Sequence, residues 1–117
     1  IDDSLYKDYG GIHMNYEETA SMLKIIADSS RLEILDLLSC EELCGCDLLE
    51  HFEFSQPTLS HHMKILVDSG FVTKRKDGNK VMYKLNHEML NGVSDRVQLI
   101  NTAHGSCACK TMKKGIC

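Results

Sequence analysis

The stretch Ser55-Gln56-Pro57-Thr58-Leu59-Ser60-His61-His62-Met63-Lys64 decides the fold. Ser55 is a natural N-cap, and Pro57 fits only the first turn of a helix, where its missing N–H costs no intrahelical bond. At about 3.6 residues per turn, the apolar side chains share an inner face. These are Leu59, Met63, Leu66 and Val67. The outer face carries hydroxyls, an imidazole and an ammonium group, unlike the Glu and Lys mixture of a merely solvated helix, so we predict that it meets a ligand.

Three helices are predicted before this stretch. Capping-box patterns begin at Asn15 and at Ser30, each ahead of an apolar run. The apolar stripe of the first helix is Ala20, Leu23, Ile26 and Ala27. The second helix is apolar on most sides and is predicted to be central to the core, with Leu32, Ile34, Leu35, Leu37 and Leu38. The third is short and carries Leu48, Leu49 and Phe52.

A hairpin and a last helix are predicted after it. Residues 71–75 and 81–85 alternate as strands around Asp77-Gly78 and Asn79, a turn whose two central residues favour positive φ. This predicts a two-stranded hairpin. Asn86 is the expected N-cap of the last helix. The apolar stripe of this helix has no later element to cover it, so we expect the helix to pack against the rest of the domain and against a second copy of itself. The stripe is Met89, Val93, Val97 and Ile100, widened by Leu90.

Two helices joined by a tight turn and followed by a hairpin predict a mainly α fold with a β-hairpin, a dimeric winged helix-turn-helix. Residues 14–104 are expected to form this DNA-binding and dimerisation domain. Residues 1–13 lack apolar periodicity, and His13-Met14 resembles a junction, so we interpret them as a vector-derived or disordered leader, with a native arm as the alternative. Residues 105–117 are predicted to be a flexible tail that contains cysteines.

Charge is distributed unevenly along the chain. The 117 residues carry a formal net charge of -4. Residues 56–84 nevertheless hold six lysines and arginines against two aspartates, which leaves +4. A basic face on an acidic body is compatible with nucleic-acid binding. No signal peptide or membrane-length apolar run is present, so we predict a cytoplasmic protein without a membrane partner.

The six cysteines fall into two clusters, one at residues 40–46 and the other at residues 107–117. A secreted disulfide scaffold would not be expected to combine this clustering with amphipathic helices. In a reducing compartment, the clustering indicates metal or redox chemistry.

Three motifs resemble the ArsR/SmtB family of metal-sensing repressors, nearest to its arsenic-responsive branch. They are Glu42-Leu43-Cys44-Gly45-Cys46-Asp47-Leu48-Leu49, then residues 55–63, then Lys76-Asp77-Gly78-Asn79-Lys80-Val81-Met82-Tyr83. The resemblance runs from about Tyr16 to Ile100 and implies a homodimer that leaves operator double-stranded DNA when an ion binds near the third helix. The best-known enteric ArsR pattern has a third cysteine three residues after the Cys-x-Cys pair, and that position is Leu49 here. The ligand pattern of the zinc-sensing relatives on the last helix is missing.

Arsenite and antimonite are soft ions that take three thiolates, so Cys44 and Cys46 need a partner. Cys40 is the nearest candidate; Cys107, Cys109 or Cys117 of a partner subunit are the alternative. On a regular helix, residues two apart point about 200° from each other. We therefore expect ion binding to require a distorted start of the third helix, and that distortion to disturb the recognition helix packed on it.

The recognition helix and wing supply the predicted DNA contacts. Gln56, Thr58, Ser60 and His61 are expected at base edges, with His61 also able to meet a phosphate. Lys64, Arg75 and Lys80 are expected to meet phosphates, and Ser55, which begins the helix, is also a predicted DNA contact. His62 points partly inward and is predicted to pack.

The predicted function is an arsenite- or antimonite-responsive transcriptional repressor, with As(III) or Sb(III) as inducer, no organic cofactor and no enzymatic activity. One alternative keeps the fold and changes the ion to cadmium, lead or zinc. Another is a thiol redox or metal-carrier protein, although catalytic dithiols usually take a Cys-x-x-Cys spacing beside a βαβ unit that this chain lacks.

Overall fold

The computed structural model describes residues 6–9 and 12–101. Five helices and two small antiparallel sheets make up this part of the chain, and the predicted winged helix-turn-helix is confirmed. In chain order the elements are β1 (Tyr6–Tyr9), β2 (Ile12–Asn15), α1 (Tyr16–Ile26), α2 (Ser29–Leu38), β3 (Leu43–Cys44), α3 (Gly45–His51), α4 (Gln56–Asp68), β4 (Val72–Asp77), β5 (Lys80–Leu85) and α5 (His87–Ile100). None of these helices combines the length and the hydrophobicity that crossing a bilayer requires.

Side-chain caps determine where the helices begin. Asn15, Ser55 and Asn86 each accept a hydrogen bond from the backbone N–H three residues later, which satisfies a donor that the helix itself leaves unpaired. These three predicted caps are confirmed. The predicted cap at Ser30 is wrong, because Asp28 Oδ1 accepts from Arg31 N at 3.0 Å and α2 already starts at Ser29. This bond is the main reason that the pKa of Asp28 is lowered.

The core lies between α2, α3, α4 and the wing. Helix α2 supplies Ile34, Leu35 and Leu38, as its apolar character predicted, but Leu32 is 51% exposed. The inner face predicted for α4 is buried at Leu59, Met63 and Leu66, with Val67 packed at its edge. The rest of the buried cluster is Leu48, Phe71, Val72, Leu85 and Val93. The apolar face of α4, the predicted recognition helix, is therefore packed against the core along its length.

The buried face of α1 differs from the prediction. Thr19 is buried and Met22, Ile25 and Ile26 pack against the core. Of the predicted stripe, only Ile26 faces inward; Ala20, Leu23 and Ala27 are exposed. The helix is rotated so that this stripe is left on the surface of the single chain.

The wing contains three strands, so the predicted two-stranded hairpin is incomplete. The sheet order is β3-β5-β4, with Leu43 opposite Tyr83 and Cys44 opposite Met82. The turn also differs, because Gly78 has positive φ (64°) and Asn79 does not. Since β3 carries Cys44, the thiol segment is hydrogen-bonded directly to the wing.

Two short strands lie in and next to the segment interpreted as a leader. Strands β1 and β2 pair as an antiparallel hairpin, with Tyr6 opposite Asn15 and Tyr9 opposite Ile12. The backbone of β2 lies next to α1 and α5. The predicted tail at residues 105–117 lies outside the described residues.

Candidate functional site

Cys44 is the N-cap of α3. Its backbone is extended (φ -82°, ψ 162°), and its sulfur accepts a hydrogen bond from Asp47 N at 3.2 Å. Asp47 Oδ2 accepts in return from Cys44 N at 3.1 Å, which completes a capping box. Cys44 is buried, whereas Cys46 is exposed. The buried thiol is thus part of the structure that starts the helix.

The sulfur atoms of Cys44 and Cys46 meet, and form a disulfide in the structure, while α3 stays intact. The prediction that they could converge only if the helix start were distorted is wrong. The helix begins at Gly45, between the two cysteines, so Cys44 belongs to an extended strand and Cys46 to the first turn. The Cα–Cα distance is 5.3 Å. Metalloid binding would require reduction of this bond, because thiolates are the ligands.

The proposed third thiolate does not join the pair. The ligating atoms of Cys44, Cys46 and Asp47 lie within 4.8 Å of one another, and Cys40 is not in this group. Cys40 is exposed, and its nearest described polar partner is Ser39 Oγ at 3.9 Å. The alternative donors, Cys107, Cys109 and Cys117, lie outside the described residues. Within residues 15–101, the site therefore offers two converging sulfurs and one carboxylate.

The polar face of α4 is exposed as predicted. Gln56, Ser60, His61 and Lys64 all lie on this surface. Lys64 Nζ contacts Asp68 Oδ2 at 3.0 Å, an exposed pair one turn along the helix.

Two residues at the start of α4 are partly used by the fold. Ser55 Oγ caps the helix and lies 3.1 Å from Thr58 Oγ1, and Thr58 is half-buried. These hydroxyls are thus less available than those of the exposed face.

His62 packs inward, as the sequence predicted. Its Nδ1 lies 3.3 Å from Arg31 Nη1, and its ring lies 5.7 Å from the Phe54 ring. Arg31 Nε also donates to Ile25 O at 2.6 Å. This chain of contacts connects the start of α2 to the middle of the recognition helix.

On the wing, Arg75 contacts an acidic residue that the sequence analysis did not single out. Its Nε and Nη2 donate to the two carboxylate oxygens of Glu42 at 2.9 and 2.5 Å. The bidentate hydrogen bond lowers the pKa of Glu42 and raises that of Arg75. Asp77 lies further away, at 3.9 Å, and Lys80 is exposed. Because Glu42 precedes β3, the pair joins the thiol segment to a predicted phosphate contact.

A cavity of about 380 Å³ lies between the cysteine pair, α4 and the wing. Its apolar wall includes the side chains of Leu49, Leu59, Met63, Val81 and Tyr83. Burial raises the pKa of the Tyr83 phenol above its ordinary value. The cavity is also lined by Cys44, Gly45, Cys46, Gln56, Ser60, Asn79 and Lys80. One space therefore connects the sulfurs to three of the predicted DNA-contacting side chains.

Known proteins resemble this chain in sequence and in fold. Residues 28–74 match the model of the arsR family of bacterial regulatory proteins. An arsenical resistance operon repressor from Staphylococcus xylosus is 64% identical over 104 residues, which cover 89% of this chain and 100% of that protein. The chain belongs to the arsR family. A second family relative, the arsenical resistance operon repressor of Staphylococcus aureus, is 62% identical over the same share of both chains.

A solved structure shares the arsR-family fold of this chain. It is described as a possible transcriptional regulator for arsenical resistance, with a TM-score of 0.60 and 27% identity over 71% of this chain and 96% of that one. The predicted family and the predicted winged helix-turn-helix fold are thereby confirmed.

Proposed function

We propose that this chain is the arsenic-responsive repressor of an arsenical resistance operon. It binds operator DNA in the cytoplasm as a homodimer and dissociates when As(III) or Sb(III) occupies the cysteine pair. The observation that carries the proposal is the convergence of two sulfurs on a cavity shared with the recognition helix. The high identity to two arsenical resistance operon repressors supports the same function.

The DNA contacts follow from what α4 and the wing expose. Gln56 offers an amide that suits adenine, and Ser60 and His61 lie on the same exposed face. Lys64, Arg75 and Lys80 contribute positive charge for phosphates, which positions the protein without reading sequence. Ser55 and Thr58 contribute mainly by forming the N-cap of α4, which fixes where the helix begins.

Dimerisation uses exposed apolar side chains of α1 and α5, two helices that contact each other within the chain. Leu23 is 38% exposed, Val97 41% and Ile100 72%. A symmetric second copy would cover these side chains on both subunits at once. It would also explain why the apolar stripe predicted for α1 lies on the surface of a single chain.

Binding of an ion to the thiols can alter the DNA-binding surface in two ways. A group on the sulfurs enters the cavity beside Gln56, Ser60 and Lys80. Any displacement of β3 also acts on β5 through the sheet and on Arg75 through Glu42. A hundredfold difference in operator affinity corresponds to about 2.7 kcal/mol of coupling, and the same factor weakens ion binding on DNA.

Cadmium, lead or zinc is the alternative inducer, and a tetrathiolate set that includes Cys40 and a tail cysteine would favour it. In the described residues, only two thiols converge, which favours an ion of lower coordination number. A thiol oxidoreductase is disfavoured because the disulfide lies beside a recognition helix, and the relatives named above are repressors.

Arsenite or antimonite is expected to lower the operator affinity of the reduced wild-type protein at least tenfold, about 1.4 kcal/mol. The Cys44→Ser/Cys46→Ser variant is expected to bind operator normally and to ignore both ions, because serine preserves the N-cap at residue 44. Fluorescence anisotropy of labelled operator measures both. An equal loss of operator affinity in the variant and the wild type on adding either ion would contradict the assignment of Cys44 and Cys46 as ligands.

Two further variants of this chain identify the third sulfur donor for arsenite. Loss of the response in Cys40→Ser assigns that role to Cys40, and loss on truncation after Ala103 assigns it to the tail.

Glu42→Gln is expected to strengthen the phosphate contact of Arg75, because the guanidinium is no longer held by a bidentate carboxylate. The slope of log Kobs against log salt concentration should steepen by about 0.9, the increment for one phosphate. Arg75→Gln should make the slope shallower, and the double variant should match Arg75→Gln alone. An unchanged slope in Glu42→Gln would show that the pair does not restrain Arg75.

A further inference from the structure

The half-buried side chain of Arg31, at the start of α2, contacts two other helices. Its Nε donates to Ile25 O at 2.6 Å, in the last turn of α1. Its Nη1 lies 3.3 Å from His62 Nδ1, in the middle of α4. A guanidinium group donates hydrogen bonds and accepts none, so His62 Nδ1 is the acceptor. One planar group therefore joins α1 to the recognition helix.

The groups at both ends of this link suit a guanidinium partner. Ile25 O is among the last four carbonyls of α1, which a helix leaves without a backbone donor, and a cation there also interacts favourably with the helix dipole. The ring of His62 also lies 5.7 Å from that of Phe54, which stacks on Phe52 at 4.5 Å. His62 is thus in contact with Arg31 and with the aromatic turn that precedes α4.

These hydrogen bonds add a directional preference to the packing of α4. The inner face of this helix is buried at Leu59, Met63 and Leu66, and hydrophobic burial by itself is non-directional. A hydrogen bond, in contrast, weakens steeply when its angle departs from linearity. The contacts of Arg31 therefore favour one orientation of α4 relative to α1.

We propose that Arg31 is a positioning residue that sets the angle between α1 and α4, and thereby the half-site spacing that the dimer reads. The inference rests on the proposed function, in which α1 contributes Leu23 to the dimer interface and α4 reads the operator. In a symmetric dimer, a change in this angle occurs in both subunits and alters the distance between the two recognition helices. That distance must match the separation of the half-sites, roughly 34 Å for one turn of DNA.

The first test is Arg31→Met, which keeps the length of the side chain and removes its donors. The N-cap of α2 remains, because Asp28 accepts from the backbone of residue 31. Fluorescence anisotropy with the reduced full-length protein compares operator DNA with half-site DNA. We expect affinity for the full operator to fall at least about tenfold, or about 1.4 kcal/mol, and affinity for the half-site to change less than about threefold.

The dependence on half-site spacing is a readout that a merely structural role would not change. When one base pair is added or removed between the half-sites, wild type is expected to lose at least about tenfold in affinity, and Arg31→Met less than about threefold. An equal penalty in both proteins would overturn the proposal. So would a loss on full-site and half-site DNA alike with a shallower salt dependence, which would make Arg31 a direct phosphate contact.

Variants of His62 test the other end of the link and also serve if Arg31→Met fails to fold. His62→Leu removes the acceptor and should reproduce the loss on the full operator. The double variant with Arg31→Met should lose no more than the larger single loss, because both changes break one connection. His62→Asn retains an acceptor oxygen and should restore affinity to within about threefold of wild type. Additive losses, or no rescue by a folded His62→Asn protein, would overturn the proposal.

The wild-type protein distinguishes failure of this inference from failure of the proposed function. A wild-type chain that is monomeric, or that does not prefer operator over unrelated DNA, would remove both. A dimeric wild type with that preference, together with unchanged operator affinity in folded Arg31→Met or His62→Leu protein, would leave the proposed function standing. It would reject the positioning role of Arg31 alone.

Discussion

Replacing Val97 and Ile100 together with glutamate is expected to convert the proposed homodimer to a monomer and to lower operator affinity at least about hundredfold, or about 2.7 kcal/mol. The two side chains are 41% and 72% exposed on one chain, so the change costs little within the monomer. In a symmetric dimer each substitution occurs twice, and each removes up to about 1.5–3 kcal/mol of apolar burial while placing a carboxylate in the interface. A monomer then holds one half-site where the dimer holds two.

Sedimentation velocity measures the oligomeric state, and anisotropy on full-site and half-site DNA measures the affinities. Asn91→Glu is the control, because it adds a carboxylate to the same helix about 150° away from the Val97 and Ile100 face. It should remain dimeric with unchanged operator affinity. If the double variant stays dimeric at low micromolar concentration, the interface lies elsewhere on the chain.

Local rules predicted the caps of α1, α4 and α5. Ser55, Asn15 and Asn86 each need one side-chain oxygen and a backbone N–H three residues on, so the relevant information is local in sequence. The inner face of α4 was predictable for a similar reason, since Leu59, Met63 and Leu66 recur at helical spacing. The exposed polar face opposite them followed directly.

Features that depend on distant partners were not predicted. Strand β3 has two residues and exists because it pairs with β5, about forty positions later in the chain. Glu42 and Arg75 are 33 residues apart, and neither position indicates the other. The face of α1 was misassigned because both Ala20-Leu23-Ala27 and Met22-Ile25-Ile26 follow helical spacing, and tertiary packing selected the second.

The thiol geometry shows how much depends on a single helix boundary. Cys44 and Cys46 would diverge inside one helix, but the helix starts at Gly45, and the extended backbone of Cys44 brings the sulfurs together. A prediction with an uncertainty of one residue could not decide between these cases. Convergence of the sulfurs therefore does not require unwinding of α3, and we propose that the shared cavity carries the coupling.

Leu66→Ala is expected to lower the free energy of unfolding by about 2–5 kcal/mol, the range for a fully buried leucine whose removal leaves a cavity. Leu66 is 0% exposed and lies on the inner face of the recognition helix. Its carbonyl also accepts from Phe71 N at 3.0 Å and from Ser69 Oγ at 3.1 Å, contacts that connect the end of α4 to the wing. Because these contacts hold the backbone in place, the surrounding side chains can fill only part of the cavity that Leu66→Ala leaves.

The matched control is Leu32→Ala, the same change in a helix at a position that is 51% exposed. It should alter the free energy of unfolding by no more than about 0.5 kcal/mol. Urea unfolding of both reduced proteins, followed by circular dichroism at one protein concentration, measures the difference, since dimer formation makes stability depend on concentration. A loss below about 1 kcal/mol in Leu66→Ala would contradict a rigid contact between α4 and the core. Without that contact, a ligand in the cavity beside the cysteine pair could not shift the whole recognition helix as a rigid body.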